Sequence, residues 1–134
     1  MENLHIYSRS IEVKQEHLDA LLHVNNLQYL HWMMEAAEDH WQSRAPQELI
    51  QQYSWWVKQH QIEYLGQAME GDRLTLKTWT GEFSGACWWR HYLIAHTDTN
   101  SPIAEAATQF VLVSRQSGKP QPIRTAILQI FQET

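Results

Sequence analysis

The segment HLDALLHVNNLQYLHWMME, residues 17–35, joins a polar loop to a strongly apolar helical pattern. Apolar residues recur at helical spacing from Leu27 onward, at Leu27, Leu30, Met34, Ala37 and Trp41. Four more widen this stripe over nearly the whole circumference, which is typical of a buried helix: Tyr29, Trp32, Met33 and Ala36. Asn25 or Asn26 is a suitable N-cap, and Pro46 follows the expected end. The segment predicts one long buried helix.

Strand-like runs lie on both sides of this helix. One precedes it at 4–13, and four follow a short helical or irregular piece at 46–52, at about 55–65, 72–83, 86–97 and 103–115. The separators MEGD, FSGA, TDTNSP and RQSGKPQP carry turn residues and are too short for crossover helices. Residues 123–131 have the pattern of a short amphipathic helix. The order predicts an α+β fold, a five-stranded antiparallel sheet curled around one central helix, in a single domain at 1–134.

Composition limits the function classes. The chain has 134 residues, 43% of them apolar, as in a globular protein. Its net charge of −5 argues against a nucleic-acid binder. The single Cys87 excludes an intramolecular disulfide, and neither a signal peptide nor a membrane-spanning run is recognisable. We therefore expect a soluble cytoplasmic protein. Seven Trp residues need a core, a pocket or a subunit interface to cover them.

The polar residues of the segment suit attack on a carbonyl group. The N-terminus of a helix presents unpaired N–H groups and partial positive charge, so amides near Val24, Asn25 and Asn26 could form an oxyanion hole. Asp19 would then act as general base or nucleophile, and His23 could orient a water molecule. From spacing alone, an exposed loop aspartate and a structural histidine are equally ordinary interpretations. None of the eight His residues forms an HxxxH or HxH pair, so no metal site is expected.

The same segment resembles hotdog-fold acyl thioesterases. In acyl-ACP thioesterases an Asp precedes HVNN, which is followed by a Tyr, a Trp and a Glu at fixed spacing. This chain matches that pattern at Asp19, His23, Val24, Asn25, Asn26, Tyr29, Trp32 and Glu35. The 4-hydroxybenzoyl-CoA thioesterase family shares the Asp and the Tyr at the same separation. IEYLGQAMEGDRLTLKTW and VLVSRQSGKPQPI are similar to later strands of the family, so the resemblance spans nearly the whole chain.

The resemblance implies an antiparallel sheet wrapped around a helix, with subunits paired as a homodimer or homotetramer and sites formed between them. It implies hydrolysis of an acyl-CoA or acyl-ACP thioester without a cofactor or metal, and with Asp19 as the catalytic acid. Glu63 is the nearest counterpart of a Glu that plant enzymes use on the following strand. Two positions differ, because Leu21 replaces an Asn of the plant pattern and Leu22 a Gly that is common in bacterial relatives. Leu21 keeps a non-catalytic acyl-thioester binding protein or sensor on the same fold as an alternative. A hotdog dehydratase is a third interpretation and ranks last, because the HVNN context belongs to thioesterases.

Two further features predict substrate contacts. The resemblance places Tyr29 and Trp32 beside the substrate, and Trp or Met residues are candidate walls of an acyl pocket, namely Trp32, Met33, Trp55, Trp56, Trp88 and Trp89. The densest cationic stretch, RQSGKPQPIR, could hold the phosphates of coenzyme A through Arg115, Lys119 and Arg124, with Arg90 or Lys58 as the next candidates. Core packing of the rings and simple solvation of the charges are the competing interpretations.

Overall fold

A computed structural model describes residues 3–133. Strand β1 (Tyr7–Glu12) is followed by a 3₁₀ turn (Gln15–His17), helix α1 (Asn26–Arg44) and helix α2 (Gln47–Gln52). Strands β2 (Tyr53–Tyr64), β3 (Arg73–Ser84), β4 (Cys87–His96) and β5 (Pro102–Ser114) come next. The chain ends in helix α3 (Thr125–Leu128) and a 3₁₀ turn (Gln129–Phe131). The predicted order of one strand, one long helix and four strands is confirmed, with bounds shifted by one to three residues.

The five strands form one antiparallel sheet in the order β1-β3-β4-β5-β2. Strands β3, β4 and β5 are consecutive and pair as a meander, as the short turn segments between them predict. The chain turns between β3 and β4 at Gly85, whose φ of 61° is costly for residues with a Cβ. β2 pairs with β5 alone among the described strands, so its other edge carries unpaired backbone groups.

Alternation along the strands gives the sheet one buried face. On β3 and β4 every second residue is buried, at Leu74, Leu76, Thr78, Thr80, Trp88, Arg90, Tyr92 and Ile94. Helix α1 packs against this face through its own buried residues, which are Tyr29, Trp32, Met33, Ala36, Ala37, His40 and Trp41. Most of the apolar core therefore lies between α1 and the inner face of the sheet.

The expectation that α1 is buried over nearly its whole circumference is wrong. Leu27 is 73% exposed, and Leu30 and Met34 are only half-buried. The sheet covers a single face of the helix, and Tyr29, Trp32 and Met33 lie on it. Within residues 3–133, no helix is long and apolar enough to cross a membrane.

Candidate active site

A tight loop before α1 holds Asp19. The loop is closed by an antiparallel bridge between Leu18 and Val24 and by a hydrogen bond from the Asp19 N–H to the His23 carbonyl, at 2.8 Å. The Asp19 carboxylate stabilises the loop from inside, because its Oδ1 accepts the N–H groups of Leu21 at 2.9 Å and of His23 at 3.3 Å. Its second oxygen, Oδ2, accepts no hydrogen bond from residues 3–133 and is free to accept a proton.

The conformation of this loop explains why relatives have a Gly at the position of Leu22. Leu22 has a φ of 67°, in the left-handed region that glycine adopts without steric cost. The Gly common in bacterial relatives would therefore fit here, and Leu22 holds the same turn at a cost of about 1–2 kcal/mol. The Leu22 side chain is mostly exposed, so it recovers little of this cost by burial within the subunit.

The N-terminus of α1 leaves a single amide of the proposed oxyanion hole free. Asn25 caps the helix, since its Oδ1 accepts the Leu27 N–H at 2.9 Å. The Val24 N–H donates to the Ala68 carbonyl at 2.9 Å and the Asn25 N–H to the His17 carbonyl at 3.0 Å. The prediction therefore needs correction for these two amides, whose protons are already bound. The Asn26 N–H has no acceptor within residues 3–133, so it alone of the three can donate to a ligand.

Tyr29 and Trp32 lie behind this loop on the buried face of α1. The Tyr29 hydroxyl accepts the Ala68 N–H at 3.2 Å, and Ala68 also binds Val24, so one backbone unit links the loop to the helix. Burial raises the pKa of Tyr29, and the nearby charge of Asp19 contributes in the same direction. The Trp32 ring meets the His17 ring edge-on at 4.9 Å and is 4% exposed. Both aromatic residues thus support the loop from within the core.

The structure does not join the His23 imidazole or the Glu63 carboxylate to the carboxylate of Asp19. His23 binds Asp19 through its backbone, and its imidazole has no hydrogen-bond partner among the described residues. Glu63 lies on β2 opposite Glu105 of β5 and is exposed. Its neighbour Tyr64 points towards α1 and donates to the Asn26 carbonyl at 3.2 Å, so Glu63 points to the opposite face of the sheet. Glu63 therefore lies on the face of the sheet opposite α1, away from the Asp19 loop of the same subunit, and its catalytic role stays a prediction.

The three predicted phosphate contacts lie after β5, away from Asp19 in the sequence and on the surface. Arg115, Lys119 and Arg124 are all exposed. The Arg115 Nε donates to the carbonyls of Ile50 at 2.9 Å and Tyr53 at 3.0 Å, so Arg115 also fastens α2 to the sheet. Lys119 and Arg124 have no side-chain hydrogen bond or ion pair within residues 3–133, which leaves their charges available to a ligand.

The structure contains a buried polar cluster that the sequence did not assign to the acyl site. Arg90 on β4 is 5% exposed, and its Nη1 donates to His40 Nδ1 at 2.9 Å and to Thr78 Oγ1 at 3.1 Å. An arginine only donates, so His40 Nδ1 is the acceptor and its Nε2 carries the hydrogen that His5 Nδ1 accepts at 2.8 Å. His40 is therefore neutral. Burial and the charge of Arg90 lower the His40 pKa to about 3, and burial lowers the Arg90 pKa to about 10.

This cluster adjoins a cavity of about 250 Å³ between the C-terminal half of α1 and the sheet. Six of its thirteen lining residues are aromatic, namely Trp41, Trp55, Trp88, Trp89, Phe110 and Phe131. Trp55, Trp88 and Trp89 therefore line a pocket, as the sequence suggested. Trp32 and Met33 belong to the core, and Trp56 is half exposed outside the cavity. The alternation of Trp88, Tyr92 and Ile94 could have placed Arg90 on the inward face of β4.

Comparison with known proteins gives one family match and several similar structures. The model of the Thioesterase-like superfamily matches residues 13–131. The structure is similar to a 1,4-dihydroxy-2-naphthoyl-CoA thioesterase from Synechocystis, with 20% identity, a TM-score of 0.81, and coverage of 94% of this chain and 95% of that one. It is also similar to the probable thioesterase YbaW from Escherichia coli, with 22% identity, a TM-score of 0.85, and coverage of 95% and 99%.

A third similar structure is a Thermus thermophilus thioesterase complexed with coenzyme A and Zn, with 22% identity, a TM-score of 0.79, and coverage of 96% and 98%. No curated protein matches the sequence significantly. The family match covers most of the chain and includes Asp19, the free Asn26 amide and the cavity walls.

Proposed function

The chain belongs to the Thioesterase-like superfamily, and from this premise we propose that it hydrolyses an acyl thioester of coenzyme A or acyl carrier protein to the free acid and thiol. The observation that carries the proposal is the position of Asp19. Its carboxylate is fixed by two backbone N–H groups and keeps Oδ2 free, just ahead of a helix N-terminus with an unbound amide at Asn26. A base and an anion-stabilising N–H in one loop–helix segment are the two groups that thioester hydrolysis requires.

In the proposed reaction, Asp19 Oδ2 takes a proton from water while the water oxygen bonds to the thioester carbonyl carbon. The Asn26 N–H, aided by the partial positive charge of the helix end, stabilises the resulting oxyanion. The carbonyl then re-forms, the C–S bond breaks, and the thiolate takes the proton back from Asp19. Direct attack by Asp19 would instead break the C–S bond, release the thiolate and leave an acyl–aspartyl anhydride, which water opens to the free acid and the Asp19 carboxylate. After a single turnover in H₂¹⁸O, ¹⁸O in the Asp19 side chain identifies direct attack followed by opening of the anhydride at the aspartyl carbonyl carbon.

We also propose that the site is shared between two copies of a single hotdog domain. α1 rises about 1.5 Å per residue, so the part of the helix that lines the cavity, from Met34 to Trp41, lies about 12–22 Å along the axis from Asn26. A short acyl group held near Trp41 would therefore be far from Asp19 of the same subunit. If the free edges of two β2 strands pair antiparallel, however, the Tyr64 end of one lies beside the Tyr53 end of the other. Tyr64 contacts Asn26, while Ser54 and Trp55 line the cavity.

Exposed apolar residues support this assembly. Seven of them lie on the Asp19 loop, at the start of α1, and on or just after β2, namely Leu21, Leu22, Leu27, Trp56, Val57, Tyr64 and Leu65. Exposed apolar residues beside a free strand edge are typical of a subunit interface. The exposure of Leu27, which the sequence analysis expected to be buried, is then explained by the second subunit. A homodimer is the minimal assembly, and a cytoplasmic location stays a prediction.

Coenzyme A is the favoured carrier of the acyl group. The Thermus relative was crystallised with coenzyme A, and the Synechocystis relative acts on a naphthoyl-CoA. In this chain the unengaged charges of Lys119 and Arg124 suit phosphate groups. The test is hydrolysis of a panel of aliphatic and aromatic acyl-CoA thioesters, with the released thiol as the measured product. Turnover that disappears in Asp19→Asn supports the proposal. Tight binding of acyl-CoA without turnover would instead identify a binding protein on the same fold.

A further inference from the structure

Arg90 is the buried charge in the fold that the proposed hydrolysis does not use. It lies at the centre of β4, opposite Thr80 of β3 and Thr108 of β5, on the inner face of the sheet. Its guanidinium carbon sits 5.1 Å from the centre of the Phe131 ring. The side chain is held on one side by His40 and Thr78 through Nη1, and neither Nε nor Nη2 has an acceptor within residues 3–133.

The partners of Arg90 are all uncharged. His40 is neutral, Thr78 is a hydroxyl, and Phe131 offers only its ring. The two ion pairs of the described residues, Arg9–Asp39 and His31–Glu35, do not involve Arg90. Burial of a cation without a carboxylate costs desolvation free energy that neutral contacts offset only in part, because these contacts are much weaker than an ion pair. Such a charge in a folded protein suggests that a ligand supplies the anion.

The cavity beside Arg90 has the form of a site for a short acyl group. Its volume of about 250 Å³ is near the lower end for small-molecule pockets. The walls are aromatic, whereas Arg90 and Thr80 place two polar groups deep among them. The Thr80 hydroxyl is buried and has no hydrogen-bond partner among the described residues. The other charged wall residues, Glu38 and Arg115, are exposed and lie at the rim.

We propose that this cavity binds the acyl group of a thioester that carries a second, terminal carboxylate, and that Arg90 is the residue that selects it. The apolar part of the acyl group lies between the aromatic walls, and its carboxylate accepts hydrogen bonds from the free nitrogens of Arg90 and from Thr80. The thioester end reaches the rim at Ser54 and Trp55, where the shared site would place the partner subunit's Asp19. The hydrolysis of such a thioester rests on the proposed function, whereas the binding of its carboxylate by Arg90 does not.

Matched substrate pairs test the selection. Adipoyl-CoA and hexanoyl-CoA have the same carbon number, and 4-carboxybenzoyl-CoA and 4-methylbenzoyl-CoA have the same ring. We expect kcat/KM to be at least tenfold higher for the carboxylated member of the pair that fits, since a charge-assisted hydrogen bond is worth roughly a ten- to hundredfold preference. Arg90→Met should lower this ratio by at least tenfold, whereas Arg90→Lys should keep part of it. Arg73→Met, an exposed arginine on the same sheet, is the control and should leave the ratio unchanged.

Binding of the free acids separates this inference from the proposed function. Titration calorimetry should show that adipate or terephthalate binds and that Arg90→Met weakens this binding at least tenfold, with circular dichroism confirming the fold of the variant. If the acids bind in this way but no thioester is hydrolysed, the hydrolase proposal fails and the recognition stands. Hydrolysis with an equal or higher kcat/KM for the uncharged members, or an Arg90→Met variant with the wild-type ratio, would overturn the assignment of Arg90.

Discussion

Arg90 donates to His40 over 2.9 Å, so a buried cation is bonded to a ring that must stay neutral. Protonation of His40 would convert its Nδ1 from acceptor to donor and would bring a second charge beside Arg90 in the core. The bond therefore locks one tautomer of His40, and this tautomer in turn donates to His5. The hydrogen bonds that join Arg90, His40 and His5 therefore form only while His40 is neutral.

This dependence predicts a loss of stability in mild acid. The folded-state pKa of His40 is lowered to about 3 from 6.5, so below pH 6.5 the unfolded chain binds a proton that the folded chain does not. The free energy of unfolding should therefore fall as the pH drops below 6.5, by at most about 1.4 kcal/mol per pH unit from this group. The lowered pKa values of His5 and His60, both due mainly to burial, act in the same direction.

Urea unfolding at pH 7.5, 6.5 and 5.5 measures this effect. His40→Gln should flatten the dependence, whereas His31→Gln, which replaces an exposed histidine of the same helix, should not. A His40→Gln variant that loses as much stability as the wild type between pH 7.5 and 5.5 would show that other groups control the acid response.

Replacing Asp19 by Asn should abolish hydrolysis while leaving the loop folded. The amide oxygen of Asn can still accept the N–H groups of Leu21 and His23, so the loop keeps both hydrogen bonds. The base or nucleophile is lost, and we expect kcat to fall by at least about a hundredfold, since such roles contribute on the order of 10²–10⁴. Steady-state kinetics with the best acyl-CoA substrate measure this fall in kcat. Asp98→Asn, in an exposed turn, is the control, and near wild-type turnover by a folded Asp19→Asn would remove Asp19 from the mechanism.

The proposed dimer makes a prediction about the two edges of the sheet. Val57 lies on β2 and Ile6 just before β1, and each is about half exposed, at 46% and 52%. If two β2 edges pair, Val57→Glu places like charges in the interface and should give a monomer by light scattering at micromolar concentration. This monomer should also lose hydrolysis, because the cavity and Asp19 then lie on separated molecules. Ile6→Glu should stay dimeric and active, and the reverse outcome would place the interface at β1.

The comparison of sequence with structure shows which kinds of information are local. Strand and helix positions follow from periodicity and turn residues over windows of about ten residues, and these were predicted closely. The direction of a side chain depends on pairing register and on what covers each face, which are set by distant segments. Glu63 was therefore named as a catalytic candidate, although the Tyr64–Asn26 contact shows that it faces the other side of the sheet. The sequence around Arg90, between Trp89 and His91, does not indicate that its hydrogen-bond partners are His40 of α1 and Thr78 of β3.

The same distinction applies to the proposed oxyanion hole. A helix N-terminus always presents unbound N–H groups, and the sequence located this end of α1 correctly. The amides of Val24 and Asn25 are bound by Ala68 and His17, and no sequence pattern indicates those contacts. The chemistry of a site is therefore more readily predicted than the identity of the atoms that carry it.

The last prediction concerns the thiol side of the substrate. Lys119 and Arg124 hold exposed charges without partners among the described residues, whereas Arg115 binds two backbone carbonyls. If Lys119 and Arg124 bind the phosphates of coenzyme A, replacing either with Ala should raise KM for acyl-CoA several-fold and leave kcat nearly unchanged, because a contact far from the reacting carbon is equally strong in ground and transition states. The effect should shrink as salt is added, since exposed charges are screened.

Arg115→Ala should differ from these two variants in a measurable way. It removes the hydrogen bonds to Ile50 and Tyr53, so it should lower the midpoint of urea unfolding as well as affect KM. Lys77→Ala is the control for the loss of an exposed positive charge elsewhere, on β3. An unchanged KM in both Lys119→Ala and Arg124→Ala, at low salt and with acyl-CoA as substrate, would show that the phosphates bind outside the segment after β5, and the exposed charges there would then serve only solvation.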